Sequence, residues 1–68
     1  MVILLPDGVE WEVPLEHMAV KDAIFIPTLN APATKPILRR ISRQLEMQIE
    51  MQTTIEDGYL GVMVWRTA

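Results

Sequence analysis

The chain contains no cysteine. That excludes disulfides and thiolate metal sites, and it suits a reducing cytoplasm. There is a single histidine, His17, and the three glycines stand apart at positions 8, 58 and 61. A glycine-rich phosphate loop is therefore missing, as is any nucleophile elbow. His17 follows Glu16 in a connector and reads as a surface residue rather than a general base. No spacing of histidines and carboxylates suggests a metal site. The expectation is a non-enzymatic chain with no catalytic residue, no metal and no cofactor.

Long apolar runs are also missing. Nothing approaches the roughly 18 to 20 apolar residues that cross a bilayer. Met1-Val2-Ile3-Leu4-Leu5 lacks the charged start of a secretory signal and reads as a strand. A cytoplasmic protein without a membrane partner is expected. The net charge of -3 does not suggest a nucleic-acid binder at first sight. The charge is uneven, however. Residues 1–16 hold Asp7, Glu10, Glu12 and Glu16 with no Lys or Arg.

What is present is apolar patterning. Half of the 68 residues are hydrophobic, enough for one domain over 1–68 with a thin core. Residues 2–13 read as a hairpin around Pro6-Asp7-Gly8, with Val9, Trp11 and Val13 alternating with Glu10 and Glu12. A strand is expected at 23–27, closed by Pro27, followed by a loop over 28–34. A helix is expected over 35–45, with Thr34 as N-cap and Pro36 in the first turn. At 100° per residue, Ile37, Leu38, Ile41 and Leu45 form its core stripe. Lys35, Arg39, Arg40 and Arg43 gather on the opposite side, four of the six basic residues of the chain.

The strongest local signal lies at 47–66. Met47 to Glu56 alternates apolar and polar residues, Asp57-Gly58 is a type I′ turn sequence, and Tyr59 to Arg66 returns. A two-residue turn pairs Glu56 with Tyr59, Ile55 with Leu60, Thr53 with Val62, Met51 with Val64 and Glu50 with Trp65. The core face is then Ile49, Met51, Thr53, Ile55, Leu60, Val62 and Val64. Tyr59, Met63 and Trp65 fall on the face that should be wet, with Gly61 opposite Thr54. The order β-β-β-α-β-β implies an α+β domain: an antiparallel sheet with one helix on one face.

The segments Val20-Lys21-Asp22-Ala23-Ile24-Phe25-Ile26-Pro27 and Glu56-Asp57-Gly58-Tyr59-Leu60-Gly61-Val62-Met63-Val64-Trp65-Arg66 carry a resemblance. The chain resembles a group of short phage and prophage proteins with a V-G-D-S-F-F-V-P segment, a basic helix and a closing D-G-x-x-G-V-R-V-W-R strand. The resemblance covers about residues 13 to 67 and is most specific in the closing strand. It implies a phage origin and a host-cell cytoplasm, and it implies no chemistry. Lys21 stands where the motif has glycine, and Met63 where it has its first arginine. Losing that arginine turns the outer face from phosphate toward apolar contact.

Three readings follow. The leading one is an accessory protein that binds a host or phage protein through Tyr59, Met63 and Trp65. The second is a nucleic-acid or acidic-partner contact through Lys35, Arg39, Arg40, Arg43 and Arg66. The third is self-association as a homodimer through the open sheet face or a strand edge.

Overall fold

The computed structural model describes all residues, Met1 to Ala68. In chain order it comprises β1 (Val2–Leu4), β2 (Glu10–Glu12), a single 3-10 turn at Leu15–His17, β3 (Ala23–Pro27), α1 (Ala31–Gln44), β4 (Ile49–Glu56) and β5 (Tyr59–Arg66). The class is α+β, with two antiparallel sheets in place of the single sheet that the element order suggests. β1 and β2 form one, and β3, β5 and β4 form the other in that spatial order. The chain's last strand is therefore the central one.

The C-terminal hairpin has the register that its turn dictates. Glu56 pairs with Tyr59, Ile55 with Leu60, Met51 with Val64 and Glu50 with Trp65. Asp57 and Gly58 take φ of 51° and 82°, as a type I′ turn requires. On the other side of β5, Ile24 pairs with Val64, Phe25 with Met63 and Ile26 with Val62.

Paired residues share a face, so Ile24, Ile26, Val62 and Val64 point one way. The core lies on that side. Ile26, Val62 and Val64 join Ile3, Leu5, Val13, Leu15 and Met18 from the N-terminal segment, and Ala31 and Leu38 from α1. The N-terminal hairpin and the helix thus share one face of the three-stranded sheet.

The helix begins earlier than its apolar pattern suggests. Asn30 is the cap, its side chain accepting a hydrogen bond from the Ala33 N–H at 3.1 Å. Pro32 fits the first turn, where no intrahelical donor is needed. Pro36 then falls inside the helix rather than at its start. Thr34 is fully buried and closes a ring of hydrogen bonds instead of capping. Its hydroxyl donates to the Asn30 carbonyl at 2.8 Å and lies 3.0 Å from the Thr28 hydroxyl, which accepts from the Asn30 N–H at 3.2 Å. The buried stripe is Ala31, Thr34, Leu38 and Ser42, with Ile37, Ile41 and Leu45 half-buried beside it. At the other end Glu46 takes φ of 56°. The Glu46 and Met47 N–H groups donate back to the Arg43 and Ser42 carbonyls, a Schellman closure that leads the chain into β4.

The far end of the C-terminal hairpin departs from expectation. Val62 and Val64 are fully buried, whereas Ile55 stays 66% exposed and Leu60 41%. Thr53 is exposed as well. The faces are as the alternation assigns them, but the core stops short of the turn. Val9 and Trp11, expected to face inward, are also exposed.

Candidate functional site

Three surfaces remain once the core is accounted for. The first is the outer face of the three-stranded sheet. Phe25, Met63 and Trp65 lie there, and none belongs to the core or to the apolar side chains packed against it. All three are half-buried. Phe25 sits beside its pair partner Met63, and its ring lies over Gly61, whose missing side chain makes room for it. A Cβ at Gly61 would come within 2.5 Å of the Phe25 ring and collide with the Ile26 carbonyl. The polar row Glu50, Gln52 and Thr54 of β4 borders this strip. Tyr59 lies beyond it at the turn end and is largely exposed.

The alternation of β5 placed Met63 and Trp65 correctly. It gave no sign of Phe25, because β3 reads as a continuous apolar run without polar residues to mark its faces. Only the pairing with β5 assigns Phe25 to the outside.

The second surface is the basic side of α1. Arg39, Arg40 and Arg43 are exposed and Lys35 is half-buried. None of the four forms an ion pair within the chain, and Glu46 does not neutralise them. Arg39 and Arg43 border an open groove of about 460 Å³ that Gln48, Glu50 and Thr67 also line. Arg66 does not belong to this surface. Its guanidinium donates to the Met18 carbonyl at 2.6 Å and to the Ala68 carbonyl at 2.9 Å. It is committed to holding the segment before β3 and the end of the chain.

The third surface is a groove of about 370 Å³ near the β4–β5 turn. Residues from the N-terminal hairpin, from the link between β3 and α1, and from the start of β5 form its walls, including Trp11, Leu29 and Tyr59.

The two titratable groups whose pKa is shifted meet at the N-terminal segment. The Met1 ammonium donates to Glu12 at 2.8 Å and to Glu16 at 2.9 Å. The hydrogen bonds to Glu12 and Glu16 raise the pKa of the ammonium above its ordinary value. The same hydrogen bond lowers that of Glu16. His17 lies 3.7 Å from Glu16 and is exposed. No group of three or more histidines and carboxylates converges. No helix is long and apolar enough to cross a membrane.

No family model, curated protein or solved structure matches this chain.

Proposed function

We propose that this chain is a small non-enzymatic accessory protein, phage-related, that binds a host or phage protein through the outer face of its three-stranded sheet. One observation carries the reading. The whole folding core lies on one side of the sheet, while Phe25, Met63 and Trp65 stand on the other, outside that core. Trp, Met, Phe and Tyr are the residues that concentrate at protein interfaces. An apolar strip with a polar border has the anatomy of such a contact. The phage reading draws support from Lys21, at the position where the similar proteins carry glycine. Its φ of 77° is a conformation that glycine adopts without strain.

The test starts with affinity capture from the native host and mass spectrometry. The captured partner is then measured against Trp65→Ala and Met63→Ser. Truncating a central interface residue costs about 2 kcal/mol or more, roughly a thirtyfold loss of affinity. Both variants should lose binding and keep the circular dichroism of the folded chain. If both unfold, the strip is core and the reading fails. A partner that is a second copy would appear as concentration-dependent sedimentation.

The unpaired cations of α1 favour a second reading, a nucleic-acid contact through Lys35, Arg39, Arg40 and Arg43. Phosphate contacts make affinity fall steeply with salt. Fluorescence anisotropy should then show binding at low salt that weakens in Arg39→Ala and Arg43→Ala. No binding at low salt removes this reading.

A further inference from the structure

The groove near the β4–β5 turn is where the chain's exposed apolar surface is concentrated. Nine large apolar residues stay exposed, and five of them line this one groove: Val9, Trp11, Leu29, Tyr59 and Leu60. They come from three separate segments, so neither a single strand nor a single loop explains their meeting. Leu29 is the extreme case at 83% exposed.

The charge around the groove has one sign. Asp7 is the one charged residue that lines it, Glu56 pairs with the lining Tyr59 across the hairpin, Asp57 adjoins the lining Gly58 in the chain, and no Lys or Arg is among the lining residues. None of these three carboxylates forms an ion pair in the chain. An apolar floor with unneutralised carboxylates at and beside one end is complementary to a segment that brings apolar side chains flanked by cations. We propose that this groove docks such a segment, apolar and cationic, from a partner protein. It is a second contact surface, distinct from the outer strip of Phe25, Met63 and Trp65, with Tyr59 between the two.

A second copy of the chain is a poorer fit. The basic side of α1 supplies the cations, but no large exposed apolar residue lies on that helix to fill the groove. The occupant needs both features at once.

The inference is tested by NMR titration of the 68-residue chain with three twelve-residue peptides: one of Leu and Lys, one of Leu and Glu, one of Ser and Lys. The Leu–Lys peptide should bind saturably and shift the amides of residues 7–11, 28, 29 and 58–60. The other two should bind at least tenfold more weakly. Leu29→Ser should reduce Leu–Lys binding at least tenfold, and the spectrum itself reports that a change at this exposed position leaves the fold intact. Asp7→Asn with Asp57→Asn should weaken it severalfold and flatten its salt dependence. Asn is suited to both sites, since it accepts the same turn hydrogen bond and tolerates positive φ. Met63→Ser should leave it unchanged, which separates this groove from the outer strip. Equal binding of the Ser–Lys or the Leu–Glu peptide overturns the inference. So do shifts centred on Phe25, Met63 and Trp65, absence of saturation, or self-association through the groove without peptide.

Discussion

The two ends of the C-terminal hairpin have the same alternation and different fates. At the base, Val62 and Val64 are sealed beneath the helix and the N-terminal segment, with no exposed surface. At the turn end, Ile55 and Leu60 continue the same inward row and remain 66% and 41% exposed. Period-two patterning determines the face on which a side chain lies. Whether that face is covered depends on how far other elements extend over it, and here they stop short of the turn. The base is therefore a folding core, and the turn end is free to serve as a surface.

Paired truncations put the comparison at risk most directly. Val64→Ala at the base removes fully buried apolar volume and should cost about 2 kcal/mol or more. Ile55→Ala at the turn end should cost no more than about 0.5 kcal/mol, as for other exposed positions. Urea unfolding followed by circular dichroism measures both. Equal costs would mean that the turn end is as much a part of the core as the base.

Two glycines sharpen the same contrast. Gly61→Ala drives a Cβ into the Phe25 ring and the Ile26 carbonyl, and a carbonyl in a paired strand has little room to yield. Overpacking of this kind costs about 1 to 3 kcal/mol. Gly58→Ala meets no atom within 4 Å, so only its φ of 82° matters. That left-handed conformation costs about 1 kcal/mol. Thermal unfolding should rank Gly61→Ala as the more damaging change. The reverse order would place the tighter packing at the turn.

The sequence made the hairpin register legible because Asp57-Gly58 admits one short turn and the alternating rows admit one orientation. The basic side of α1 was legible for a similar reason, since Arg39, Arg40 and Arg43 recur at helical spacing. The helix start was not. Pro32 reads as part of a loop and Pro36 as a first-turn residue, although Pro32 takes the first turn and Pro36 is tolerated within the helix. Thr34 has the chemistry of a cap and is used as a buried hydroxyl partner of Thr28. Phe25 was hidden inside an apolar run, and Arg66 looked free because its two carbonyl partners lie at Met18 and Ala68. These are tertiary facts. The groove at the turn was illegible for the same reason, as its walls come from segments nearly fifty residues apart.

A smaller effect separates the turns at the two ends. Asp57-Gly58 is well suited to left-handed backbone, whereas Lys21 at the base takes φ of 77° with a full side chain. Its N–H donates to the Arg66 carbonyl at 2.9 Å, which ties the approach to β3 onto the base of β5. Lys21→Gly keeps that hydrogen bond and relieves the strain, so stability should rise by about 0.5 to 1 kcal/mol. A loss on chemical denaturation would show that the lysine side chain contributes packing that outweighs the backbone cost.

The least effect expected is a dependence on pH, again at the covered end, where the Met1 ammonium joins Glu12 and Glu16. Its pKa is raised by the hydrogen bonds to Glu12 and Glu16, so its contribution is fully present below its ordinary value of 8.0. That contribution is lost as pH rises through the raised value. Glu16 is shifted the other way by the same ammonium. Its contribution is fully present above its ordinary value of 4.5 and is lost as pH falls through the lowered one. The urea midpoint should therefore be flat between about these two ordinary values, fall gently beyond each, and lose part of the acid limb in Glu16→Gln. Acetylating the N-terminus should remove the alkaline limb that belongs to the ammonium. Both groups are open to solvent, so the limbs should be shallow and should shrink further with added salt. An alkaline limb that survives acetylation unchanged would show that the ammonium does not help tie the start of β1 to β2 and the 3-10 turn.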